Sequence, residues 1–237
     1  MSILAIDTSN ETLGVAIFDE HTNSTLIEYK ENGKAKHSKR LMPAIDHLMK
    51  TVGLLPQDLT KIVVAKGPGS YTGVRIGLST AKMMGWTLNI PVIGVSSLEA
   101  LAFNGSNQSL KICPFFDARR GLVYTGLYET DQTGQMKLVK EEQNVLFADW
   151  LSQLKEEAEP IMFLSPDLDI HKEMIKEVLK EHAILPFEHF HKPSPALLAM
   201  IGKDRSVENI HQLTPNYLRL VEAEANWLAK QKEQNNE

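Results

Sequence analysis

The segment KGPGSYTGVRIG, Lys66 to Gly77, comes nearest to phosphate chemistry in this chain. In a P-loop, backbone amides cradle phosphates while a Lys and a following Ser or Thr meet phosphate and magnesium. Here five residues separate Gly67 from Gly73 rather than four, and Val74 and Arg75 stand where the Lys and hydroxyl belong. The dinucleotide fingerprint fails as well, because the order is Gly-x-Gly-x-x-x-Gly. A strand-to-helix turn remains, with anion binding at the following helix N-terminus as the alternative. Asp7, Thr8 and Ser9 are a second candidate. At a strand end the carboxylate could hold a magnesium-bound water and the hydroxyls could meet phosphate, although the same residue types build turns. They are the candidate nucleotide contacts.

Other titratable residues point to less. His37 precedes a helix without a partner histidine at metal spacing, so it reads as exposed or capping. His189 and His191 would share one strand face as a two-nitrogen fragment lacking a third ligand. Asp117, Arg119 and Arg120 form a charged turn, and eight scattered histidines give no Ser-His-Asp set. Cys113, the single cysteine, has apolar neighbours and reads as core; one cysteine makes no internal disulfide and fits a reducing compartment.

The elements that must position these residues follow from periodicity. SILAID and TLGVAIFDE, split by a polar corner, predict an antiparallel strand pair. Leu41, Ile45, Leu48 and Val52 fall at helical spacing across Ser38–Val52, with Met42 and Met49 widening the stripe and Pro43 either in the first turn or kinking the helix. Lys61–Ala65 predicts a buried strand, Val74–Leu88 a helix, and Pro91 onward another strand. After the linker-like NGSNQS at Asn104–Ser109, KICPFFDA and LVYTGLYE repeat the strand pair. Helices over Phe147–Ala158 and His171–His182 then flank the strand IMFLS. The recurring order predicts two related α/β domains, residues 1–103 and a smaller 104–209, with a segment of about 210–237 rejoining the first and a polar tail.

Gly73, Gly77, Ala81 and Gly85 recur every fourth residue and so line one helix face. Glycine inside a helix costs about 1 kcal/mol relative to alanine, so the row calls for close approach of another backbone. That backbone belongs either to the chain's own sheet or to a second subunit. With adaptable methionines at Met83, Met84, Met42 and Met49, the expectation is a subunit interface of two helices through Leu41, Met42, Ile45, Leu48, Met49, Gly73, Gly77, Ala81, Met84 and Gly85.

Composition narrows the class. A chain of 237 residues with 43% hydrophobic content suits one or two globular domains. A net charge of −5 argues against gripping nucleic acid alone. No apolar run approaches the roughly 20 residues of a membrane span, and the N-terminus reads as a strand rather than a leader, so a cytoplasmic location is expected.

Together LAIDTSNETLGVAIFD, HSKRLMPAIDHLM, KGPGSYTGVRIGLSTAKMMGWTLNIPVIGVSSLEALA, DARRGLVYTGLY and PNYLR resemble the TsaB family, from the first strand to Arg219. The resemblance implies an α/β two-domain actin-like, Hsp70-like and sugar-kinase-like ATPase fold (ASKHA, ribonuclease H-like) with an abbreviated second domain. It further implies a non-catalytic scaffold and activator of the TsaD transferase, which forms N6-threonylcarbamoyladenosine at position 37 of tRNAs reading codons that begin with A. TsaD carries two metal-binding histidines where this chain has Ser97 and Leu101, and neither replaces an imidazole. The implied partners are a TsaD-like paralogue, a TsaE-like ATPase, a second copy of the chain when alone, and tRNA through the complex. No cofactor is then required by this chain, ATP and metal being supplied at partner sites. The competing expectations are an ATP-dependent kinase or transferase acting alone, and a peptidase.

Overall fold

A computed structural model describes residues 1–33, 36–131, 134–157 and 159–218. Strands β1 (Ser2–Asp7) and β2 (Thr12–Asp19) pair antiparallel, and β3 (Ser24–Asn32) adds to β2. The chain then crosses through α1 (His37–Thr51) to β4 (Leu59–Ala65), parallel to β1, and through α2 (Tyr71–Leu88) to β5 (Val92–Val95). Parallel neighbours need such crossovers, which is why helices alternate with these strands. A short α3 (Ser97–Ala102) leads into the second half. There β6 (Lys111–Asp117), β7 (Leu122–Thr130), β8 (Met136–Leu146), α4 (Phe147–Lys155), β9 (Ile161–Leu164), α5 (Leu168–Leu179) and β10 (Ala183–Ile184) repeat the plan. The sheet orders are β3-β2-β1-β4-β5 and β10-β9-β6-β7-β8, one arrangement used twice. The α/β fold in two related domains expected from the repeated hairpin is the one found.

Both faces of the first sheet are covered, so β1 reads as a continuous apolar run. Leu4 and Ile6 pack with Leu41, Ile45 and Leu48 of α1 and Leu78 and Ala81 of α2. Ile3 and Ala5 face the other way, onto Leu198 and Ala199 of α6 (Pro195–Lys203). This corrects the domain boundary. A second domain of 104–209 would include α6, yet that helix lies on the first sheet, its Pro195 ring against Gly14 and Gly202 against Val63. The return therefore begins near Pro195 rather than 210. Beyond it Lys82 Nζ donates to the Leu213 carbonyl at 2.9 Å and Asn216 N–H to Lys66 O at 2.7 Å, so the return continues beside α2. Residues 219–237, including Arg219 and the polar tail, lie outside the described residues.

Pro43 is interior to α1, not in its first turn, and the helix runs on to Thr51. α2 starts three residues before the expected Val74 because the Ser70 side chain caps it, accepting the Gly73 N–H at 3.2 Å.

One carboxylate joins the domains. Glu142 of β8 accepts hydrogen bonds from Ser96 and Tyr128 through Oε1, and from Asn216 Nδ2 through Oε2 at 2.8 Å. Burial and the neighbouring Glu142 charge push the Tyr128 phenol up, so it remains a donor. Glu142→Ala strands three donors and is expected to cost about 3 kcal/mol. Glu142→Gln should cost less, and urea denaturation of the two variants checks the difference.

Candidate functional site

The glycine-rich loop between β4 and α2 is closed on the chain itself. Gly69 has φ +155°, and a Cβ there would stand 2.1 Å from the Ser9 carbonyl oxygen. Three amides of the loop are engaged: Gly67 N–H donates to Ser97 Oγ at 3.1 Å, Ser70 N–H to Ser9 O at 2.6 Å, and Gly73 N–H to Ser70 Oγ. Arg75 is also taken. Its guanidinium lies 4.0 Å from the Tyr71 ring centroid, and its Nε donates to the Tyr217 hydroxyl at 2.6 Å. The loop thus positions α2 against the β1–β2 corner.

That corner is internally bonded too. Asp7, Thr8 and Ser9 are buried at the end of β1. Ser9 donates its N–H and its hydroxyl to one Asp7 oxygen, at 2.8 and 2.7 Å, while Thr8 Oγ1 donates to Gly73 O at 2.7 Å. Burial pushes the Asp7 carboxyl up, against the two Ser9 bonds and the nearby His37, which hold it down. Both hydroxyls serve the turn, so a phosphate arriving there would have to displace bonds already made.

The row of small residues faces inward. A Cβ at Gly73 would stand 2.1 Å from Thr8 O, one at Gly77 would stand 2.4 Å from Thr8 Oγ1, and one at Gly85 would stand 2.3 Å from Val92 Cγ2. Ala81 is fully buried in the same core. The close neighbour that glycine at these positions permits is therefore the chain's own sheet. The expected interface set is corrected accordingly: Gly73, Gly77, Ala81 and Gly85, together with Leu41, Ile45, Leu48 and Met49 of α1, are buried within this chain. Periodicity identifies the face but not its neighbour. Of that set only Met42, 50% exposed, and the half-buried Met84 reach the outside. The outward face of the α1–α2 layer presents Met42 with two residues outside the set, Met83 at 60% and Trp86 at 69% exposure. Large exposed apolar side chains of this kind are characteristic of docking faces.

The remaining candidates are structural. His189 and His191 do not share a strand face, because Glu188–His191 forms a 3-10 turn. His191 Nδ1 accepts the Ser165 N–H at 3.2 Å and its Nε2 donates to Pro186 O at 3.0 Å, with burial holding the imidazole below its usual range. His189 stacks between Phe187 and Phe190. Cys113 is buried between Thr125 and Trp150, its thiol pushed up to about 11 by burial. Asp117 accepts from His171 Nε2 at 3.0 Å and from the Arg119 N–H at 3.1 Å. Among the described residues no group of three or more His, Cys, Asp or Glu is placed to hold a metal ion.

Comparison with known proteins places the chain. The family described as "TsaD: tRNA N6-adenosine threonylcarbamoyltransferase" matches residues 26–227. The tRNA threonylcarbamoyladenosine biosynthesis protein TsaB of Bacillus subtilis is 51% identical, over 98% of this chain and 100% of that protein. The chain belongs to the TsaB family. The Escherichia coli TsaB is 34% identical over 56% of this chain and 58% of its own length. A Pseudomonas aeruginosa crystal structure, titled as an uncharacterized protein with similarity to peptidase YEAZ, superposes with a TM-score of 0.79 at 25% identity, covering 92% of this chain and 99% of that one.

In this TsaB-family chain, the two positions that the resemblance aligns with the histidines of TsaD serve packing. Ser97 is buried and accepts the Gly67 amide; Leu101 is fully buried among Ile112, Phe116 and Leu164. Neither leaves a donor facing a cavity. The sequence reading passed over the basic run leading into α1, where Lys34, Lys36, His37, Lys39 and Arg40 fall within seven residues. Charge counting over the whole chain hides such a run, whereas a window of that length reveals it.

Proposed function

We propose that this chain is the non-catalytic accessory subunit of the machinery forming N6-threonylcarbamoyladenosine at position 37 of tRNA, pairing with a TsaD-like transferase and activating it. The observation that carries this reading is the division of α2 into an inward row of small residues, consumed by its own sheet, and an outward face with exposed Met83 and Trp86. An exposed apolar face needs a partner of matching apolar character. A TsaD-like paralogue built on the same plan supplies one, a second copy of this chain uses the same face when the partner is absent, and a TsaE-like ATPase joins the pair. Ser97 and Leu101 support the non-catalytic part, since transfer by a metal-bound centre would need ligands that these side chains lack. ATP and metal then act at partner sites, tRNA is met within the assembly, and the work takes place in the cytoplasm. Among the described residues no helix is long and apolar enough to cross a membrane.

A reconstituted modification assay tests the reading: product should form only when this chain and the transferase are both present. The second reading, an ATP-dependent enzyme acting alone, draws on the buried carboxyl of Asp7. Calorimetric titration of the isolated chain with Mg-ATP separates the two. The expected result is no binding that Asp7→Ala removes, because the Ser9 and Thr8 hydroxyls are bonded to the turn. Tight binding lost in Asp7→Ala would favour the enzyme.

A further inference from the structure

Arg40 anchors the basic run at the start of α1. Arg40 is only 13% exposed, with Nη1 3.1 Å from the Glu31 carboxylate, while its buried Nε and Nη2 have no hydrogen-bond partner. Both nitrogens are buried, so the guanidinium holds this segment against Glu31 rather than facing solvent. His37 lies three residues earlier, on the same side of the helix. Its Nε2 donates to the Asn10 carbonyl at 2.8 Å, and its buried Nδ1 also has no partner. Lys36 and Lys39 flank the pair, exposed and without an ion-pair partner among the described residues.

A second free cationic group stands across the corner. Arg119 and Arg120, at the β6–β7 turn, both have positive φ, 65° and 55°, an unfavourable setting for residues with a Cβ. Both are exposed and their guanidinium groups meet no partner among the described residues, whereas Arg75 and Arg205 are held by Tyr217 and Glu99. The β1–β2 corner links the two segments. Asn10 holds His37, and Glu11, the next residue, lies within electrostatic reach of Asp167, which accepts the Asp117 N–H at 2.9 Å beside the arginine turn.

We infer that these two rims, Lys36–Lys39 and Arg119–Arg120, contact the phosphodiester backbone of the tRNA. The inference rests on the functional reading above. Lys36, Ser38, Lys39, Arg119 and Arg120 are exposed, and four of the five are cationic; Leu146, 48% exposed beside Gly121, is an apolar neighbour, and the concentration of cations suits phosphate contacts. Glu11, Asp117 and Asp167 between them repel phosphate and keep the RNA to the rims. In a chain of net charge −5 these few contacts add to those of the transferase and do not hold RNA alone.

The test compares wild type with Lys36→Glu/Lys39→Glu/Arg120→Asn, asparagine being chosen because it tolerates positive φ. Fluorescence anisotropy of labelled tRNA is measured on the complex with the transferase at several salt concentrations, with pairing followed by native mass spectrometry. The expected result is tRNA affinity roughly tenfold weaker at moderate salt and a log–log salt slope smaller by about 2, with pairing and the KM for ATP unchanged. Wild-type affinity and slope in a fully paired variant complex would overturn the inference, as would a shift in the KM for ATP without one for tRNA. Product formation by the wild-type complex is read separately: its absence counts against the functional reading, while anisotropy still decides the RNA contact.

Discussion

Gly73→Ala is expected to lower the stability of the chain by about 3 kcal/mol, although it adds a single methyl group. Overpacking a tight site costs 1 to 3 kcal/mol, and the upper end applies where neither side can yield. Here the added Cβ would stand 2.1 Å from the Thr8 carbonyl oxygen. That carbonyl belongs to a turn fixed by the Ser9 bonds to Asp7, and Gly73 itself is tied by the Thr8 hydroxyl to its carbonyl and by Ser70 to its amide. Gly77→Leu should act alike, since its Cβ meets Thr8 Oγ1 at 2.4 Å. Both losses are read as a lower denaturation midpoint of the isolated chain. Wild-type stability in Gly73→Ala would mean that α2 does not lie so close to β1.

The second large effect is expected on the opposite side of the same helix. Met83→Asp/Trp86→Asp should lower stability by only about 1 to 2 kcal/mol, from helix propensity and the negative end of α2, while pairing with a TsaD-like transferase weakens at least thirtyfold. Tryptophan is the side chain most often found at interface hot spots, where truncation costs about 2 kcal/mol or more. At 69% exposure Trp86 contributes little to its own domain, so its apolar area is available to a partner. A carboxylate in its place would have to be desolvated against an apolar surface. Isothermal titration calorimetry with the purified transferase measures the change. The pairing of Gly73→Ala, tested on whatever fraction remains folded, should by contrast be close to wild type.

These contrasting effects show where the sequence is legible. The duplicated plan is visible because β1, β2, β6 and β7 are apolar runs separated by polar corners. The edge strands β3 and β8 are not, since STLIEYKEN and MKLVKEEQNVL are charged and largely solvent-facing, with no clean alternation. α6 is a short apolar segment whose place on the first sheet depends on the chain returning from the second domain, a long-range contact that local pattern does not encode. The four-residue recurrence of Gly73, Gly77, Ala81 and Gly85 is plain, but a close neighbour in the same chain and one in a partner demand the same small residues. The rejection of a P-loop, made on spacing, finds its physical counterpart in amides bonded to Ser97, Ser9 and Ser70. His189 and His191 alternate like strand residues, yet they occupy a 3-10 turn, where period-two spacing has no meaning.

The most direct test of the account is formation of threonylcarbamoyladenosine in a reconstituted reaction with the transferase and the remaining components, comparing wild type with Met83→Asp/Trp86→Asp. The account predicts product with the wild-type chain, little or none with the folded variant, and none from the chain without the transferase. Product from the chain alone, or full activity of the variant, would contradict it.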